Sequence, residues 1–512
     1  MAKMQYYTIN TYVKTLEEKG MLVDCRLYDK CETQITTLTY DSREVTTGTA
    51  FVCKGAAFKA EYLQDAMEKG AVLYISEKAY DVAEAGEIPY ILVKDIRRAM
   101  PVLANLFYNK PWEDLTVIGV GGTKGKSTSA YYMKAVVDDY MAAQKKKESA
   151  IISGIDIYDG TESFESHITT PESMELQQRF RNALNSGIEY VEMEVSSQAL
   201  KYNRVDEMRF DVGIFLNISE DHISPIEHDD FEDYFTSKMK MFEKTKIAVI
   251  NLDSDCSDRV REAAKAAETV ATISQTDPRA DFYAYDIHKE DEKVVFFVKH
   301  GDVFDEEFVL TMPGFFNVEN ALGVIAAATM LKIPRKYIHS GLFHAKSSGR
   351  MELYTNKDKN IVAIVDYAHN KLSFEKLFSS MKEEYPEYSI VSVFGCPGKK
   401  ALTRRRDLGT VAGQYSKKVY LASEDPGYEP VEKISREIAK YVKAQGCPYE
   451  MINDRGEAIK AAIESAEGKT LLLITGKGNE TREKIGGEYI DSTSDVEYVK
   501  RYLAEYDKKT KP

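Results

Sequence analysis

The stretch 115–128, LTVIGVGGTKGKST, decides how the chain is read. An apolar β-type run, 115–120, breaks into glycines, and Gly125-Lys126-Ser127-Thr128 then opens a helix-compatible segment. Strand, glycine-rich loop and helix in that order make a phosphate cradle. The glycines let backbone N–H groups turn toward an anion, and the helix N-terminus adds the positive end of its dipole. Gly122, Thr123, Lys124 and Gly125 form the loop, Lys126 is placed to reach the terminal phosphates, and a hydroxyl at Ser127 or Thr128 is placed to face Mg²⁺. The spacing is shorter than the common G-x-x-x-x-G-K, which requires glycine where Val120 stands; G-x-x-G-K-S-T runs from Gly122 to Thr128. A glycine turn ahead of an ordinary helix is the plain alternative, and the Lys-Ser-Thr ending after an apolar strand argues against it. The expectation is an ATP-binding protein.

At 512 residues the chain exceeds what one core serves, so two to four domains are expected. With 43% apolar and 29% charged residues, its composition is that of a soluble globular protein. No run approaches the roughly 20 apolar residues of a membrane span, and the polar N-terminus, MAKMQYYTINTYVKTLEEKG, does not read as a signal peptide. Six cysteines, at 25, 31, 53, 256, 396 and 447, form no C-x-x-C pair, which argues against a zinc ribbon or disulfide framework and fits a reducing cytoplasm. A net charge of −14 disfavours nucleic acid as a partner. A phosphate-rich substrate has to overcome that field locally, so Mg²⁺ and a few placed cations are expected parts.

Outward from the loop, three regions separate. Residues 1–110 mix helical stretches with short strands at 35–40, 49–53, 72–75 and 91–93. Pro111-Trp112 punctuates the chain, and from there to 345 apolar strands at 151–152, 190–195, 212–217 and 247–251 alternate with helices, the signal of βαβ units and a mostly parallel sheet. Residues 278–311 alternate apolar and charged positions and predict a small antiparallel insertion. Beyond Gly349 the α/β pattern resumes, with strands at 361–365, 389–394, 418–421 and 471–474, each ending in candidate site residues. After 190–195 and 212–217 come Glu194 and Asp221-His222, a carboxylate and a histidine at neighbouring strand ends that suit a divalent cation beside a triphosphate. A structural histidine is the alternative for His222.

Eight motifs follow one another in order: the loop GTKGKST, Thr169-Thr170-Pro171, MEVSSQALKYNRV (193–205), Asp221-His222, MPGFFNVENAL (312–322), GRME (349–352), DYAH (366–369) and GKGNE (476–480). Together they resemble the Mur ligase family, closest to its MurE, tripeptide-synthetase type, over nearly the whole chain from Asp41-Ser42-Arg43 to Asp491. The resemblance implies an α/β fold of three domains: a UDP-binding domain (1–110), a central parallel-sheet P-loop ATPase domain (111–345) and a Rossmann-like C-terminal domain (346–512) that binds the amino acid. It implies a cytoplasmic, monomeric ligase using ATP and Mg²⁺. UDP-N-acetylmuramoyl-L-Ala-D-Glu and a free amino acid, lysine-like or diaminopimelate, would be joined through an acyl phosphate in peptidoglycan precursor synthesis.

Residue by residue, the resemblance assigns Ser42, Thr169, Thr170, Ser196 and Arg204 to the UDP-muramoyl-peptide. Glu194, His222 and Lys238 would serve the metal with Ser127 or Thr128, and with Lys126 would carry catalysis; Lys238 occupies a position that is commonly a carbamoylated lysine, with Lys240 a nearby competitor. Asn317 and Asn320 match an adenine-side helix, and Arg350, Asp366 and His369 match groups that close onto ATP. Lys400, Glu424, Asp425, Gly427, Gly476 and Glu480 fall at the amino-acid site.

That last region departs from the family pattern. Glu424-Asp425-Pro426-Gly427 stands where the diaminopimelate type shows Asp-Asn-Pro-Arg, Lys400 replaces an Arg, and Asn479 replaces the His of Gly-Lys-Gly-His-Glu. An acidic pair without the Arg favours a cationic side chain such as lysine or ornithine; a cap on the following helix is the plain reading of the same two acids. The departures keep two other functions open: a Mur-type ligase for a polyglutamate or cyanophycin-like acceptor, and a catalytically silent paralogue that binds nucleotide-sugar.

Overall fold

A computed structural model describes residues 4–55, 58–80, 88–166, 168–219, 227–399 and 402–509. The α/β class is as expected, and the strands fall within a few residues of their anticipated positions. The chain forms two compact units, residues 1–273 with 323–337 and residues 274–322 with 338–512.

In the first unit a five-stranded sheet runs in the order Leu22–Arg26, Tyr90–Val93, Ala71–Ser76, Thr49–Val52, Thr37–Thr39. Only its first pair is antiparallel. Helix Ile96–Phe107 lies over this sheet, and Met174 of the following region joins the same core. The larger sheet sets Thr116–Gly121 in the middle, with Tyr190–Glu194 on one side and Phe210–Phe215 on the other, all parallel. Such a strand is covered on both faces and reads as a continuous apolar run, as 116–121 does. Thr245–Asn251 and Thr269–Ser274 extend the sheet beyond Phe210–Phe215. Ala150–Ile152 extends it on the other side, followed by the short antiparallel strands Asp156–Tyr158 and Ser163–Glu165. Register does the positioning: Val120 pairs with Glu194 and Gly121 with Phe215, so the ends of both neighbours flank the glycine loop.

The second unit holds the expected antiparallel insertion as a meander, Phe282–Glu290, Lys293–His300 and Phe304–Leu310. Its main sheet runs Glu352–Thr355, Ile361–Asp366, Thr470–Thr475, Ser389–Phe394, Lys418–Leu421, Tyr449–Met451, parallel except for the first pair. A separate hairpin, Arg482–Ile485 with Glu488–Asp491, follows the carboxyl end of Thr470–Thr475. Among the described residues no helix is long and apolar enough to cross a membrane, and all six cysteines are unpaired.

Candidate active site

The phosphate cradle forms as its sequence requires. Gly122 and Gly125 take φ of +136° and +87°, conformations that side chains rarely adopt, and the helix Lys126–Ala143 starts immediately after Gly125. Gly125 has no side chain to cap the first-turn N–H groups, so that end of the helix is chemically suited to an anion. Other parts of the loop face inward. The N–H groups of Thr123 and Lys124 donate to the backbone and side-chain oxygens of Asn217, at 2.9 Å each. Asn217 returns a bond to Lys124 O at 3.2 Å, and the Thr123 hydroxyl lies 2.9 Å from that of buried Tyr234. Asn217 therefore braces the loop, a role visible in the sequence only as the polar end of a predicted strand.

Two lysines converge on one carbonyl. Lys126 Nζ donates to Gly122 O and Thr123 O at 3.1 Å, and Lys238 Nζ donates to Gly122 O at 2.8 Å. Lys238 lies on helix Phe231–Met239, 3% exposed and over the Tyr234 ring, whereas Lys240 is exposed; of the two candidates only Lys238 reaches the loop. Beside them Glu194, 2% exposed, accepts from Ser127 Oγ and from Gly154 N, both at 2.8 Å. Thr128 is buried in the same first turn. A divalent cation on a triphosphate takes hard oxygen donors, few of them from protein. Ser127 and Glu194 are such donors and stand together, so the set fits Mg²⁺. Among the described residues no three His, Cys, Asp or Glu side chains converge. His222 lies outside the described residues. Two residues behind Glu194 on its strand, burial and the nearby Asp138 push the Glu192 carboxyl up to about 8.

Glu194 also links this centre to the residues assigned to the muramoyl-peptide. Thr170 Oγ1, fully buried, donates to Glu194 O at 2.9 Å and accepts from Ser196 N at 3.0 Å. Ser196 caps the short helix Ser197–Lys201 through Ala199 N. Arg204 donates to Thr170 O at 3.2 Å and pairs with Glu172 at 2.9 Å; among the described residues its buried Nε has no hydrogen-bond partner. Lys54, which sequence reading does not single out, meets Glu172 at 2.8 Å over the Tyr40 ring, and burial lowers its pKa. Thr170, Ser196 and Arg204 are thus brought together, with half-buried Thr169 next to them in the chain. Ser42 stands on the 3₁₀ turn Ser42–Glu44, its carbonyl held by Lys69 at 3.0 Å.

In the second unit Asn317 and Asn320 share a buried face as the i, i+3 spacing predicts: Asn320 donates to Asn317 at 3.0 Å, and Asn317 to Pro313 O at 2.7 Å. Asp366 ends the strand Ile361–Asp366, accepting from Met351 N and Ala368 N. Burial raises its pKa against the pull of neighbouring Arg350, whose guanidinium lies over the Tyr367 ring. His369 bonds Tyr367 O at 2.7 Å.

The acids at 424 and 425 do not cap the following helix, Val431–Ala444, which has no side-chain cap. Glu424 is buried at the ends of the parallel strands. A Cβ on Gly476, φ +107°, would lie 2.3 Å from its carboxyl oxygen. Burial pushes Glu424 up to about 7 against the cations Arg455, Lys477 and Arg404. Asp425 accepts from Lys477 Nζ at 3.1 Å and Lys484 N at 2.9 Å, and Glu480 takes the same ammonium at 2.5 Å. Gly427, φ +55°, forms a β-bridge to Ile485, so the loop is fastened to the hairpin. Lys400 lies outside the described residues.

Strand, glycine loop, lysine and a carboxylate set by register define the class: an α/β phosphate-loop protein. Comparison with known proteins sharpens this. Residues 120–328 match the profile described as Mur ligase middle domain, and 349–478 that described as Mur ligase, glutamate ligase domain. The UDP-N-acetylmuramoyl-L-alanyl-D-glutamate–L-lysine ligase of Enterococcus faecalis is 38% identical over 461 residues, 89% of each chain. The corresponding 2,6-diaminopimelate ligase of Clostridioides difficile is 38% identical over 88% of this chain and 92% of its own. A solved structure of a 2,6-diaminopimelate ligase superposes with a TM-score of 0.67 at 22% identity, covering 98% of this chain and 99% of that one. The chain belongs to the Mur ligase family.

Proposed function

We propose that this protein is an ATP-dependent acid–amino-acid ligase of the tripeptide-synthetase type, organised in the three domains 1–110, 111–345 and 346–512. It adds lysine or diaminopimelate to UDP-N-acetylmuramoyl-L-Ala-D-Glu. The observation that carries the reading is the juxtaposition at Gly122: two lysines on one carbonyl, at an uncapped helix N-terminus, next to the Ser127–Glu194 pair. That is a site for a polyphosphate. The relatives named above, similar over about nine-tenths of the chain, are named for this ligation.

In the reaction one of the two free carboxylates of the terminal D-Glu attacks the γ-phosphorus of ATP, giving an acyl phosphate and ADP. The amine of the amino acid attacks the acyl carbon, loses a proton and expels phosphate. Little covalent help is needed, so positioning and charge neutralisation dominate. The first turn of Lys126–Ala143 and Lys126 hold the phosphates. Ser127 and Glu194 would hold Mg²⁺, which neutralises phosphate charge when bound. Thr170 and Arg204 orient the dipeptide arm, and Asn317 and Asn320 hold the adenine. Lys238 is carbamoylated in this reading: the modification removes one of two like charges at Gly122 and supplies a carboxylate for the cation.

A phosphate-release assay with ATP, Mg²⁺ and the UDP-dipeptide tests the reading against a panel of amino acids. Release is expected only when dipeptide and one productive amino acid are both present. Release independent of the dipeptide, or none across the panel, contradicts it.

A further inference from the structure

Beyond Lys418–Leu421 and Thr470–Thr475, the second unit contains a cleft of about 320 Å³ whose walls include Arg455, Lys477, Glu480, Glu483, Ile485 and Tyr498. Its charges are unevenly matched. Lys477 is 5% exposed, and its ammonium bonds Asp425, Glu480 and Arg482 O, at 3.1, 2.5 and 2.7 Å, which uses all three of its donors. Arg455 forks onto the buried carboxylate of Asp495 at 2.6 and 2.7 Å and gives its other bonds to Ser423 O and Thr475 O. Lys477 is therefore fully committed to the protein's own oxygens, and Arg455 gives them four of its five N–H groups, with its charge matched by Asp495. Glu483 is held differently from Glu480: its hydrogen-bond partner is the neutral hydroxyl of Ser423, and among the described residues it forms no ion pair, the Arg455 charge acting on it only at longer range. It sits on the hairpin strand Arg482–Ile485, which the Gly427–Ile485 bridge ties to the Glu424–Gly427 loop.

We infer that Glu483 is a specificity-determining residue of this ligase, receiving the terminal ammonium of a straight-chain cationic amino acid while Ile485 and Tyr498 flank its methylene stem. The inference rests on the ligase reading and narrows its amino acid. A half-buried carboxylate with no cation in direct contact attracts one from the ligand. A side chain ending in a zwitterion brings a second carboxylate beside Glu480 and Glu483, where Lys477 has no bond to spare and the charge of Arg455 is already matched by Asp495. The selection uses a charge in the cleft wall, not a loop motif.

The test compares L-lysine, its uncharged isostere 6-hydroxy-L-norleucine, and meso-diaminopimelate in the phosphate-release assay, for the wild type, Glu483→Gln and Glu483→Asp. In the wild type kcat/KM for lysine should exceed that for the isostere by about 100-fold, and Glu483→Gln should shrink the ratio to less than about 10. The loss should appear in KM for lysine with kcat at saturation retained, and Glu483→Asp should restore part of it. Melting temperatures of the three proteins should agree. Equal effects of Glu483→Gln on lysine and isostere, or a wild type that prefers meso-diaminopimelate, would overturn the assignment of Glu483 and leave the ligase standing. No release with any amino acid overturns the ligase itself.

Discussion

At the scale of single residues, the centre depends on pairs that hold one another in place. Ser127 Oγ donates to Glu194 at 2.8 Å, so each of the two oxygens fixes the orientation of the other. Ser127→Ala should lower kcat by about 10- to 100-fold without changing the melting temperature; a drop in stability with unchanged kcat would mean the pair is only structural. Gly476 makes a different kind of contribution. Its φ of +107° strains any side chain, and a methyl group there would have to displace the buried Glu424 carboxylate. Gly476→Ala should destabilise the fold by about 1–3 kcal/mol in urea titration, since strain and overpacking add. The cradle was legible in the sequence because glycine, lysine and hydroxyl adjacency is local chemistry. The burial of Lys238 was not, because a lysine in FTSKMK looks solvated until Tyr234 and the Gly122 carbonyl are brought over it. The partners of Asp425 were not legible for the same reason: Lys477 and Lys484 are more than fifty residues away.

Elements are joined by acids that accept backbone donors. Glu384, at the end of helix Lys371–Glu384, takes Gly314 N at 2.9 Å and Phe315 N at 2.8 Å, and Ser380 Oγ at 2.6 Å. It thereby holds the turn that leads into Asn317 and Asn320. Glu384→Ala strands two backbone donors and should cost about 1–3 kcal/mol in urea titration while raising KM for ATP; no change in either would contradict the link. On the next helix, Thr403–Tyr415, Arg405 bonds Glu429 through both terminal nitrogens, the shorter contact being 2.6 Å, and Glu429 in turn accepts Lys399 N. The loops after Ser389–Phe394 and Lys418–Leu421 are clamped together by that side chain. Alternation of strands and helices was readable from apolar periodicity, and the meander at 282–310 from its alternating charges. Which helix end would meet which loop was not, because such pairings depend on sheet order, and Thr470–Thr475 inserts between Ile361–Asp366 and Ser389–Phe394 out of chain order.

For the whole molecule, two sets of carboxyls shape the response to pH. Arg405 holds Glu429 down at about 2, well under its usual 4.5, so this group stabilises the fold above pH 4.5 and loses that contribution as pH falls toward 2. Glu424 acts in the opposite sense. Held up at about 7 by burial, it weakens the fold as pH rises from 4.5 to 7, because the unfolded chain ionises first. Glu424→Gln should therefore flatten the dependence of the urea midpoint on pH between 4.5 and 7; an unchanged slope would mean that the carboxyl is already ionised. The family resemblance reached across nearly the whole chain because motifs such as GTKGKST, MEVSSQALKYNRV and DYAH sit at strand ends and helix starts, where chemistry restricts residue type. It reached least far at 424–427 and 479, where the residues depart from the family pattern. The central claim is that a carboxylate of the UDP-dipeptide is activated on ATP before the amine attacks. It is tested most directly by labelling that carboxylate with ¹⁸O and measuring the isotope in the phosphate released when a productive amino acid is supplied. One ¹⁸O per phosphate is the expected result; phosphate free of label, with the tripeptide formed, would contradict the acyl-phosphate route.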